Sequence, residues 1–135
     1  MKIIQNLMIA GLVIFLSGYF SSCQKDEDYE YFLIQVDSVS IPETILANQS
    51  FELEFFGYIG YNGCYSFSEF VSEKQNKTIL VEAQGKLNVK STICSDVMVG
   101  LNGEKLSLLL KETGNYNLKI KQPDGTFLER QILVE

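Results

Sequence analysis

The 135 residues leave room for one domain; 46% hydrophobic content, with nine Phe and seven Tyr, can build its core, and 21% charged content is too low for a disordered chain. A net charge of −6 and the lack of any Lys/Arg cluster exclude nucleic acid as a partner, because no basic surface is present to displace counterions from phosphates. Histidine is absent, which removes the commonest general base and the Ser-His and Cys-His nucleophile pairs, and with them most hydrolase mechanisms.

Lys2 precedes an apolar run whose unbroken core, Leu7 to Leu16, is about ten residues long, followed by Ser17, Gly18 and the small pair Ser21-Ser22. Charge, apolar core and small-residue exit are the parts of a cleaved signal peptide, here residues 1–22. A membrane-spanning helix needs roughly 20 apolar residues, and Gln5-Asn6 and Ser17-Gly18 interrupt the run on both sides. Residues 23–30 are polar and acidic and read as a tether. The folded domain is expected over 31–135.

From Tyr31 onward apolar residues recur at a period of two, broken by Gly, Asn, Pro or Asp, which is an all-β rhythm. A first strand is predicted from Phe32 to Val39, ended by the segment around Pro42, since proline cannot donate to a ladder. Ser50 to Phe56 alternates Phe51, Leu53 and Phe55 with Ser50, Glu52 and Glu54, one face dry and one wet. Gly57 to Gly63 is rich in glycine and reads as a loop. Cys64 to Ser72 is the next strand, Glu73 to Lys77 a polar turn, Thr78 to Ala83 a β-branched strand and Gly85 to Ser91 a weaker one. Val97 to Leu101 is expected to turn at Asn102-Gly103, a pair suited to the positive φ of a tight hairpin, and to return as Glu104 to Leu110. Tyr116, Leu118 and Ile120 alternate with Asn117, Lys119 and Lys121; Pro123-Asp124-Gly125 makes the last turn, and Phe127 to Val134 ends the sheet. Seven or eight short strands without a helical period predict a two-sheet β-sandwich.

Four resemblances add to this reading. Phe20-Ser21-Ser22-Cys23 resembles the bacterial lipobox, which implies that Cys23 becomes the lipidated first residue of the mature chain; Phe20 stands where Leu is usual. Cys23-Gln24-Lys25-Asp26-Glu27-Asp28 resembles the export tag of Bacteroidetes-type surface lipoproteins, which implies an outer-membrane protein facing the cell exterior, the alternative being the periplasmic face. Gly114-x-Tyr116 before an alternating strand is similar to the tyrosine corner of immunoglobulin-like domains, although Leu118 replaces the antibody cysteine and there is no Trp. Over most of 31–135, through Ile59-Gly60-x-Asn62-Gly63-Cys64-Tyr65-x-Phe67 and Gln122-Pro123-Asp124-Gly125-Thr126, the chain looks like small lipoproteins of that group with one immunoglobulin-like domain. That group carries no assigned chemistry, so the resemblance implies fold and location only.

With Cys23 set aside, Cys64 and Cys94 remain in a compartment where thiols oxidise. A disulfide closing about 30 residues would contribute roughly 3 to 4 kcal/mol in the chain-entropy model; the alternative is two buried free thiols, since spacing does not bring their Cα atoms together. Glu52 and Glu54 share one outward face and read as solvated rather than as a paired acid and base. No metal site and no cofactor motif is expected, and the protein is not read as an enzyme. The candidate binding residues are Tyr58, Tyr61 and Tyr65, on and beside the glycine-rich loop, where flat faces with hydroxyls suit a sugar ring or a protein partner. The plainer alternative has two of them capping the end of the sandwich. The function expected is a non-catalytic binding or accessory module for a glycan or an envelope protein, held to the membrane by lipid on Cys23. A structural part of an envelope assembly and an immunoglobulin-like protease inhibitor are the alternatives.

Overall fold

Each segment of alternating polarity from Tyr29 onward lies as a strand with its apolar side turned inward. In this computed structural model the described residues are 28–135; the leader 1–22, Cys23 and residues 24–27 lie outside them. In chain order the strands are β1 (Tyr29–Leu33), β2 (Gln35–Ser40), β3 (Ser50–Gly60), β4 (Tyr65–Gln75), β5 (Thr78–Asn88), β6 (Val99–Leu109), β7 (Gly114–Lys121) and β8 (Phe127–Val134). They form an all-β, two-sheet sandwich, immunoglobulin-like in build: β1, β4, β5, β7 and β8 make one sheet, and β2, β3 and β6 the other.

β5 is the hub of the larger sheet. β4 runs antiparallel along its whole length, from Tyr65 opposite Leu87 to Gln75 opposite Thr78. Its other side is shared. β1 takes the C-terminal half, Tyr29 opposite Asn88 to Leu33 opposite Gln84, and β7 takes the N-terminal part in parallel, Thr78 opposite Asn117 to Val81 opposite Ile120. Ile79, Val81 and Ala83 of β5 and Leu118 and Ile120 of β7 share one core with Leu53 and Phe55 of β3, all at 2% exposure or less. Burying a side chain of this size contributes about 1.5 to 3 kcal/mol.

Several local expectations change. The predicted strand from Phe32 to Val39 is two strands that belong to different sheets. They part at buried Ile34, whose N–H donates to the Ala83 carbonyl at 2.8 Å before the chain crosses to pair with β3. Strand pairing also begins at Tyr29, ahead of the expected boundary at 31, because Asn88 is there to receive it. The predicted loop from Gly57 starts only after Gly60. A Cβ at Gly57 would run into the Gln35 carbonyl and one at Gly60 into the Tyr65 ring, so both glycines allow close approach within a strand. Asn102-Gly103 makes no hairpin but lies inside β6: Phe55 faces Glu104, Phe56 faces Asn102, and Gly103, at φ 89°, is the extra residue of a bulge. β5 likewise continues through the segment read as weak, as far as Asn88.

The tyrosine corner forms. The Tyr116 ring is fully buried and its hydroxyl donates to the Glu112 carbonyl, four residues upstream, at 2.9 Å. The Lys77 ammonium donates to the Thr113 carbonyl at 2.8 Å and to the Tyr116 hydroxyl at 3.2 Å, and pairs with the Glu112 carboxylate at 3.3 Å. Desolvation works against the Lys77 charge, but the hydrogen bonds to Tyr116 and Glu112 outweigh it and leave its pKa raised. Gln122 is a polar side chain buried to 5% exposure. Its Oε1 accepts the Val36 N–H at 3.1 Å, where the β2–β3 ladder slips and that donor would otherwise be lost.

Candidate functional site

One end of the sandwich is built from two irregular segments: residues 61–64 between β3 and β4, and residues 89–98 between β5 and β6. Cys64 and Cys94 are joined in a disulfide, with Cα atoms 5.2 Å apart, so the alternative of two free thiols falls away. Backbone bonds reinforce the staple: Gly63 N–H donates to the Ser95 carbonyl at 2.8 Å and Asn88 N–H to the Cys64 carbonyl at 3.0 Å. The Asn88 side chain accepts from the N–H groups of Lys90 and Ser91, which turns the chain out of β5. The depression beside the disulfide, between Tyr29, Lys86 and Ile93, has a volume of about 250 Å³, below the range of small-molecule pockets.

The three tyrosines singled out by sequence differ in exposure and in what they touch. Tyr58 is 41% exposed on the outer face of β3, opposite Gly100 on β6 and Gln35 on β2. Tyr61 is 65% exposed at the tip, its ring centroid 5.2 Å from that of Tyr65. Tyr65 is half-buried, wedged over Gly60 and edge-on to Phe32 at 5.8 Å. Hydrogen bonding to the Tyr61 phenol, and then desolvation, raise its pKa above the ordinary tyrosine value. Tyr65 is thus a support for the end of the sandwich, one capping tyrosine where the alternative expected two, while Tyr58 and Tyr61 face solvent.

Sequence reasoning missed two groups. Phe56 stands two residues before Tyr58 on the same outer face, 37% exposed, with Ser38 and Asn102 as its cross-strand neighbours. The signal was available: once Phe51, Leu53 and Phe55 point inward, Phe56 must point out. Phe56 and Tyr58 together make a flat aromatic strip on the central strand of the smaller sheet. Glycine and serine leave the strip open, and the amides of Gln35 and Asn102 and the hydroxyl of Ser38 belong to the residues beside it. The second group is Ile93, Val97 and Met98, exposed at 87%, 51% and 78%. No periodicity marked them, because they lie in irregular chain.

Further along the same outer face, Lys105 lies between Glu52 at 2.8 Å and Glu54 at 3.7 Å. The hydrogen bond to Glu52 raises the Lys105 pKa. The two carboxylates share this one ammonium in an exposed ion-pair cluster. Among the described residues, no three His, Cys, Asp or Glu side chains gather where a metal ion would sit. No helix among them is long and apolar enough to cross a membrane. No protein-family model, no curated protein and no solved structure matches the chain, and its function is read from its own residues.

Proposed function

We propose that the protein is a lipoprotein held through Cys23 on the exterior face of an outer membrane of the Bacteroidetes type, where it acts as a non-catalytic module that binds a glycan on the Phe56–Tyr58 strip. One observation carries this reading: two half-exposed aromatic rings, two residues apart on the central strand, have only small or amide-bearing cross-strand neighbours. A pyranose presents an apolar C–H face that stacks on such rings, and its hydroxyls need donors and acceptors of the kind Gln35, Ser38 and Asn102 supply. The strip is shallow, which suits an extended saccharide better than an enclosed small molecule.

The test is affinity electrophoresis of the mature protein in gels containing envelope polysaccharides, comparing wild type with Phe56→Ala/Tyr58→Ala. Retardation of wild type that disappears in the double variant, with unchanged circular dichroism, supports the reading. Equal retardation of both proteins removes the strip as the site. A double variant that loses crosslinks to an envelope protein, in cells where wild type shows no retardation by any polysaccharide, transfers the strip to a protein partner.

A further inference from the structure

We infer that the disulfide-stapled end of the sandwich seats on the lipid surface, with Ile93, Met98 and Tyr61 at headgroup depth. The inference rests on the acylation of Cys23 proposed above and goes beyond it, because acylation alone does not say which side chains meet the bilayer.

The entry point of the chain is the first reason. Asp28, the first described residue, is held at this end: its carbonyl accepts the Val89 N–H at 3.0 Å and its carboxylate pairs with Lys90, while Tyr29 pairs with Asn88. Only residues 24–27 separate it from Cys23. Five peptide steps cover at most about 18 Å even when fully extended. The opposite end lies some 33 Å further along β3, counting about 3.3 Å for each of its residues. An acyl-bearing sulfur at position 23 therefore keeps this end, and not the other, within reach of the bilayer.

The second reason is independent of the anchor. Among the described residues, the three most exposed large apolar side chains are Ile93 at 87%, Met98 at 78% and Tyr61 at 65%, and all belong to this end, as do Val89 at 52% and Val97 at 51%. Elsewhere the exposed ones, among them Leu133 and Leu109 at 56% and 52% and Phe127, Val71 and Leu46 below half, are less exposed than those three. The loop that displays the apolar group is held by the disulfide and by backbone bonds, while these side chains face solvent. Aliphatic side chains with a tyrosine and flanking lysines, here Lys86 and Lys90, are what a headgroup interface takes up. Asp96, exposed in the same loop, keeps the contact shallow, since a carboxylate is not carried into hydrocarbon. Seated this way, Phe56 and Tyr58 stand about 7 to 13 Å back along β3 from Gly60, so the saccharide they reach is one carried by the same membrane.

The chain contains no tryptophan, which makes the test direct. Ile93→Trp, Met98→Trp and, as a control at the far end, Leu109→Trp are each prepared as the lipidated full-length protein. They are reconstituted into phosphatidylcholine–phosphatidylethanolamine vesicles with and without dibrominated phosphatidylcholine, and mass spectrometry reads the acyl chains on Cys23. Interfacial seating at a depth of about 5 to 10 Å predicts that brominated lipid at least halves the emission at 93 and 98 and leaves that at 109 unchanged. Acylated protein whose emission at 93 and 98 is as insensitive as at 109 overturns the seating and leaves the anchor standing. A mature chain without fatty acid on Cys23 overturns both.

Discussion

The two ends of the sandwich are closed in opposite ways. At the end carrying Lys77, Glu112 and Tyr116, polar groups are consumed internally: a buried hydroxyl meets a backbone carbonyl, an ammonium meets a carbonyl, a phenol and a carboxylate, and the ring beneath is fully dry. At the end carrying the Cys64–Cys94 bond, a covalent staple holds irregular chain while the largest apolar side chains of that chain face outward. The first arrangement uses its polar groups to hold the fold; the second leaves the apolar side chains of its irregular chain in water, which is unfavourable unless something else covers them.

Removing the staple should break the comparison most forcefully. Cys64→Ser/Cys94→Ser is expected to cost roughly 3 to 4 kcal/mol in chemical denaturation, from the loop-closure entropy returned to the unfolded chain. Hydrogen exchange in that variant should speed up first in residues 61–64 and 89–98. If exchange rises uniformly instead, the staple is not what orders this end.

At the other end, Tyr116→Phe removes one buried hydroxyl and leaves the Glu112 carbonyl without its donor; about 1 to 3 kcal/mol should be lost. Exchange in 89–98 should show no selective change, and a selective increase there would couple the two ends and erase the distinction. A smaller effect is expected from pH. The Lys77 pKa is raised in the folded state from an ordinary value of 10.5, so its contribution is fully present below that value and fades as pH rises through the folded one. Thermal melting measured from about pH 9 to pH 12 should show a steeper alkaline fall for wild type than for Lys77→Met; parallel curves would remove Lys77 from the closure of that end.

The smallest expected effect is the sharpest test of the tip. Ile93→Ser and Met98→Ser should each shift stability by no more than about 0.5 kcal/mol, because these side chains are already in water in the folded protein. A loss several times larger would mean that they hold the loop, and would return them to the structural side of the comparison.

Much of the fold was legible from local chemistry. Alternation identified the dry residues Phe51, Leu53 and Phe55 of β3 and Tyr116, Leu118 and Ile120 of β7, and Gly114-x-Tyr116 pointed to a corner that the Tyr116 hydroxyl completes at Glu112. Misreadings came where one residue type serves two purposes. Gly57 and Gly60 allow strands and rings to approach, Asn102-Gly103 supplies a positive φ to a bulge, and none of them turns the chain. The candidate site was half legible: Tyr58 and Tyr61 are exposed, Tyr65 is a wedge, and Phe56 went unnoticed although the alternation of β3 places it outside. Ile93, Val97 and Met98 lie in chain without a period, where no pattern distinguishes a displayed side chain from a buried one.

The sequence by itself determined an all-β body, the spacing of its dry faces, the absence of histidine chemistry and a pair of cysteines able to bridge. Those are local properties, carried by the pleat and by residue type. Only the tertiary structure decided that Ile34 hands the chain from one sheet to the other, that β5 lies parallel to β7, and that Asp28 enters beside the apolar tip. Alternation reports which side of a strand is dry but not which strand lies beside it. Neighbours are chosen by how all the dry faces close over one core.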